Sequence, residues 1–179
     1  MDFIPIYMIF IPILTSITIY IFHNKYVNYS SFLSQGILTL LFISYYSTFN
    51  ENTTKSLVLG GWSKEIGIAL KNDYLSLLFI LLTIFIWWII IIYCWDKRKC
   101  DHKFLFFLLF LEGTFLGLIQ TNDLFNLFVF IEITTILSSI LILYKKDGYS
   151  VRAGLYYLLF NSVGMIFYLI GLIFLYKTN

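Results

Sequence analysis

Hydrophobic and polar positions divide the sequence into long apolar runs broken by short polar clusters. Six runs are long enough to cross a bilayer, at about residues 4–22, 32–49, 74–95, 104–121, 123–143 and 153–176. A helix needs about 20 predominantly apolar residues for that purpose. A lipid-exposed span must satisfy its own backbone hydrogen bonds, so each run predicts an α-helix. The fourth and fifth runs are separated only by "QTND", residues 120–123, which predicts a tight helical hairpin. Pro5 falls in the first turn of the first run, where proline is tolerated, and Pro12 predicts a kink. The one long connection, about residues 50–73, contains "LVLGGWSKEIGIAL". Two short β-prone pieces flank Gly60-Gly61 there, and the segment reads as a β-hairpin or as an ordinary loop on the membrane surface. The fold class is all-α, a polytopic membrane protein with about six transmembrane helices.

Composition agrees. The 179 residues are 60% hydrophobic, 21% aromatic and only 12% charged. Soluble domains average about 45–50% apolar and about 25% charged. A net charge of +2 gives no reason to expect nucleic acid as a partner. The N-terminus starts with Asp2, lacks a basic stretch and continues into a long apolar run, so it reads as an uncleaved span. Cys94 and Cys100 have no CxxC or zinc-like spacing and read as two free thiols near a membrane boundary. No internal repeat or low-complexity tract is evident.

Lysine and arginine set the orientation. One side receives Lys25, Lys97, Arg98, Lys99, Lys103, Lys145, Lys146 and Arg152; the other receives Lys55, Lys64, Lys71 and Lys177. The richer side is expected to be cytoplasmic, with both termini and the 120–123 turn outside. Trp95 and tyrosines near span ends suit interfacial anchoring, whereas Trp87 and Trp88 lie deeper and suit packing.

Two carboxylates interrupt the apolar runs. Insertion scales charge about 2.5–3.5 kcal/mol for an ionised acid at mid-helix. Glu132 lies near the middle of the fifth run, and on a helical wheel Thr135 and Ser139 share its face, with Phe125 and Phe128. Such a stripe should face protein or a wet cavity. Two readings are open: a neutral acid bonded to a neighbouring helix, or a group that transfers protons or coordinates an ion. Glu112, within "LEGTFLGLIQ", is open in the same way, as a relay group or a packing feature. Gly113 and Gly117 beside it form a GxxxG that permits close helix approach. Asp123 opens the fifth helix and reads as its N-cap. Asn161, Gly164 and Tyr168 share a face of the sixth span and read as an inter-helix contact surface. The residues show neither a metal cluster, a nucleophile–base pair nor a phosphate loop, so no cofactor is expected and a membrane enzyme is the weakest reading.

At "DLFNLFVFIE" the sequence resembles the fifth transmembrane helix of the antiporter-like subunits, such as those of the Mrp-type multisubunit Na⁺/H⁺ antiporters. Related subunits occur in membrane-bound hydrogenases and in proton-translocating NADH-quinone oxidoreductases. "IPILTSITI", "LGGWSKEIGIALKNDYLSLLFILLT" and "YYLLFNSVGMIFYLIGLIFLY" extend the resemblance along the chain. It implies that Glu132 pairs with a lysine two helices later and helps carry protons to a hydrophilic axis. It also implies a fold truncated relative to the family's roughly fourteen helices. Residues 1–103 would then form three N-terminal helices with the external loop 50–73, and residues 104–179 the first three helices of the first inverted repeat. The lysine-bearing helix is not encoded here, and no lysine lies mid-membrane. The sequence departs from the family's pattern at Ser138-Ser139 and at Tyr156.

The leading expectation is a cell-membrane component of a cation/proton antiporter or a proton-translocating redox complex. Its partners would be the lipid bilayer, further membrane subunits that include one with the missing lysine, and protons, with Na⁺ a candidate ion. The competing expectation is a structural or assembly subunit, or a fragment, without an ion path.

Overall fold

The computed structural model describes residues 3–22, 27–49, 54–58, 68–95 and 101–178. Within these described residues, six helices and one two-stranded sheet follow in chain order: α1 (Ile4–Phe22), α2 (Val27–Tyr46), β1 (Lys55–Val58), β2 (Ala69–Asn72), α3 (Tyr74–Cys94), α4 (His102–Gln120), α5 (Leu124–Leu143) and α6 (Gly148–Thr178). All except α2 are long and apolar enough to cross a membrane. α2 has 20 residues, about 30 Å at the helical rise of about 1.5 Å per residue. Its polar residues lower its apolar character, but they do not face outward. Ser31, Ser34 and Gln35 are buried, while Phe32, Leu33, Leu40 and Ile43 are exposed. Polar side chains turned toward protein and apolar ones turned outward are what a lipid-facing bundle requires.

α4 is the central element. It packs against α1, α3 and α5; α2 bridges α1 and α3, and α6 packs on α5. The main core joins Met8 and Ile9 of α1, Leu38 and Phe42 of α2, Ile80 of α3 and Leu116 of α4. Pro12 is buried within a continuous α1, where its missing N–H leaves one helical bond unmade. α3 opens with a capping box: Asp73 accepts from the Ser76 amide at 2.8 Å while the Asp73 amide donates to Ser76 Oγ at 2.7 Å. Trp87 is buried and donates from Nε1 to Leu108 O at 3.1 Å, joining α3 to α4.

β1 and β2 pair antiparallel, with Lys55 opposite Asn72 and Val58 opposite Ala69. Of the two readings of this connection, the strands fit the hairpin, with a register fixed by these pairs. Docking sets that register: Leu70 and Asn72 point inward and are almost fully buried, and a slip of one residue would turn both outward. Gly60 and Gly61 themselves lie outside the described residues. β2 also holds the α4–α5 turn, through a bridge of Leu70 with Thr121 and donation from the Asn122 amide to Ala69 O at 2.8 Å.

The reading of two free thiols is corrected for Cys94, which is disulfide-bonded. Sequence spacing could not show this, because pairing depends on where the end of α3 brings the chain.

Candidate functional site

α5 is launched by Asp123, whose carboxylate caps it by accepting from the Phe125 amide at 3.1 Å. Asn126 Nδ2 donates to Thr121 Oγ1 at 2.9 Å and ties the first turn to the α4–α5 connection. From this start, Glu132 falls ninth in a helix of 20 residues, near its middle. Its side chain is half-buried, and its carboxylate has no hydrogen bond or ion pair among the described residues. The site therefore holds an acid with free acceptor capacity at mid-helix.

The face below Glu132 is polar and packed. Thr135 is buried, and its hydroxyl donates to the Glu132 carbonyl at 2.9 Å. Ser139, one turn further on, is also buried and donates across to Gly154 O of α6 at 2.9 Å. Gly154 is what permits that approach: a Cβ there would sit 2.6 Å from Leu143 Cγ and 3.2 Å from Ser139 O. Thus Thr135 and Ser139 share the stripe with Glu132, but each hydroxyl is spent on a backbone carbonyl and not on the carboxylate. At the other end of α5, Tyr168 donates to Leu124 O at 2.9 Å and stacks on Phe128 with ring centroids 6.4 Å apart. Of the three residues expected to form the α6 contact surface, Tyr168 is hydrogen-bonded to another helix. Asn161 donates to Tyr157 O of its own helix, and Gly164 has open space around it.

Glu112 is placed differently. It is wholly buried on α4, with Gln35 of α2 donating from Nε2 to both carboxylate oxygens at 2.5 Å. The two acids therefore do not share one site. The adjacent glycines also diverge. A Cβ on Gly113 would lie 2.5 Å from Ile13 Cγ1 and 2.8 Å from Ile9 O, so this position faces α1. A Cβ on Gly117 would lie 2.5 Å from the Phe130 ring, so that position faces α5.

Sequence reasoning missed Gln35, Gly154 and a buried polar cluster beside the sheet. In that cluster Asn72 Nδ2 donates to Tyr45 Oη at 3.1 Å and to Gln120 Oε1 at 3.3 Å. The signal for Gln35 was present: Ser31, Ser34 and Gln35 recur at helical spacing on one face of an otherwise apolar segment.

Residues 121–179 match the family described as NADH:quinone oxidoreductase/Mrp antiporter, TM. In Staphylococcus aureus strain JH9, a protein named as the antiporter subunit mnhD2 is 32% identical over 158 residues, covering 87% of this chain and 31% of that protein. The protein of the same name in strain Newman matches equally. The fold is similar to a chain in the structure of the membrane-bound sulfane sulfur reductase, an archaeal respiratory membrane complex. That match has a TM-score of 0.83 and 26% identity, and it covers 93% of this chain and 36% of that one. The chain spans about a third of the length of the relatives it matches. The class defined by this helical fold is the multi-pass cell-membrane protein. Within it, the chain is similar to the antiporter-like membrane subunits of the NADH:quinone oxidoreductase/Mrp antiporter family, through residues 121–179 and through its likeness to mnhD2.

Proposed function

We propose that this chain contributes part of a proton path to a monovalent cation/proton antiporter or a proton-translocating redox complex, with Glu132 as the transferring group. The observation that carries this reading is the state of Glu132: mid-helix, half-buried and without a partner among the described residues. A carboxylate that only stabilised packing would be spent on a neighbour, as Glu112 is. An intramembrane acid with free acceptor capacity is suited to a relay.

Among the described residues no lysine lies near the middle of a helix that could span the membrane, so the cation that would poise Glu132 is not found among them. It would come from a further helix seated against α5 and α6. Those helices leave room for one: α5 buries only Thr135, Leu137 and Ser139, and α6 buries only Gly154 and Met165 among its described residues. Ser139, through its bond to Gly154 O of α6, would orient α5 and so hold Glu132 at a fixed height and azimuth. The chain's task is transport, and any redox chemistry would belong to other subunits. Replacing Glu132 by Gln in the assembled membrane complex tests this. Assembly with loss of cation-driven proton movement is expected; assembly with full activity would refute the role.

A further inference from the structure

We propose that Glu112 and Gln35 form a proton-loaded acid–amide pair, a site that holds one proton to tie α2 to α4 and does not pass it on. Both side chains have 0% relative exposure. Gln35 Nε2 meets both Glu112 oxygens, while Gln35 Oε1 is buried with no hydrogen-bond partner. An ionised carboxylate can only accept, so it can never satisfy that oxygen. A neutral acid can: its O–H donates to Gln35 Oε1 while Gln35 Nε2 donates to the other acid oxygen. Adding a proton and turning the two end groups into register leaves every buried polar atom of the pair satisfied. Removing it leaves a buried charge with one amide for company and an orphaned carbonyl, both costly in a dry interior.

The surroundings favour retention of the proton. α1, α2 and α3 carry no Asp, Glu, Lys, Arg or His in their helical spans. On α4 the other such residues are His102 and Lys103, at its first turn, and α5 offers only Glu132. β2, at the Gln120 end of α4, carries Lys71, which is exposed; the helices packed around the pair bring it no countercharge. Exit routes are closed as well. The i+4 row from Glu112 runs through Leu116, itself 0% exposed, before it reaches Gln120 and the polar cluster at the sheet. Thr114 and Ser16 hydroxyls are donated to carbonyls of their own helices. Among the described residues no hydrogen-bonded chain leads away from the pair. This contrasts with Glu132, and it is independent of the role proposed for that residue.

The experiment uses the full chain in its native membrane complex. Infrared difference spectra, wild type minus Glu112→Gln, should show a protonated carboxyl band at neutral pH. Glu112→Gln should keep whatever ion transport the wild-type complex shows, within about twofold, because an amide pair replaces the acid–amide pair. Gln35→Leu and Glu112→Leu should each lower the thermal midpoint, and the double variant should recover much of the loss, since it orphans neither partner. Should Glu112→Gln fail to assemble, Glu112→Asp, which keeps the proton and shifts the band, gives the same reading. A carboxylate band at neutral pH, an assembled Glu112→Gln complex without transport, or a double variant no better than the worse single would each overturn the proposal.

Discussion

Gly113 and Gly117 sit one turn apart on α4, yet alanine should affect them very differently. At Gly113 the new Cβ would come within 2.5 Å of Ile13 Cγ1 and 2.8 Å of the Ile9 carbonyl oxygen. The second atom is backbone, so no rotamer change relieves it. Recovering ordinary contact requires α1 to move by nearly an ångström along a seam shared with the main core. Overpacking of this kind costs about 1–3 kcal/mol, and the backbone clash puts Gly113→Ala at the upper end. Alanine regains about 1 kcal/mol of helix propensity over glycine. The net loss should be about 1–2 kcal/mol, a factor of roughly 5–30 in the folded-to-unfolded ratio. At Gly117 the clash is with the Phe130 ring, 2.5 Å away but at the end of a side chain that can swing. There the propensity gain should nearly cancel the cost. Reversible denaturation in mixed detergent micelles, followed by tryptophan fluorescence, measures both. Adding Ile13→Ala should rescue Gly113→Ala only in part, because the Ile9 carbonyl stays. Equal stability of the two glycine variants, or a Gly113→Ala protein as stable as wild type, would refute a close α1–α4 approach.

Three further outcomes are expected. With Cys94 and Cys100 replaced by serine, single cysteines at Lys64 and Lys99 should show opposite access to an impermeant thiol reagent in intact cells: position 64 reactive, position 99 protected. The reverse would invert the topology drawn from lysine and arginine placement. Tyr168→Phe removes the bond to Leu124 O and should lower stability by about 0.5–1.5 kcal/mol; no change would mean that the hydroxyl does not hold α6 against α5. Before α6, hydrogen bonds from the Ser150 hydroxyl and amide, with Lys145 beside it, hold the Asp147 carboxyl down from the ordinary 3.8 to about 2. A depressed acid pKa stabilises the fold above the unfolded value and is lost as pH falls toward the folded one. The first turn of α6 should therefore fray between those two values, as read by amide exchange, and Asp147→Asn should abolish that pH dependence.

The helices were legible because lipid imposes one rule on every span: its exposed side chains must be apolar. That rule also explains the misplaced start of α2. Asn28, Ser30 and Ser31 read as a polar boundary before residue 32, although the helix begins at Val27. A polar face turned inward looks like a loop when only composition is counted. Glu132, Thr135 and Ser139 could be placed on one face because helical spacing fixes azimuth. Spacing does not fix which neighbour a face meets, so the bond from Ser139 to Gly154 and the divergence of Gly113 and Gly117 were not readable. Gln35 lies 77 residues from Glu112, and only tertiary packing brings them together. The sheet register was hidden for the same reason, since Leu70 and Asn72 choose it by docking on helices distant in sequence.

The central claim is that Glu132 moves protons while Glu112 keeps one. The most direct measurement is cation-driven proton movement in everted membrane vesicles that carry the assembled complex with Glu132→Gln. Gln preserves shape and removes the titrating group, so subunit content by immunoblot should match wild type while the pH gradient response disappears. Glu132→Asp, about one methylene shorter, should retain a fraction of it. Full response in correctly assembled Glu132→Gln vesicles would contradict the account.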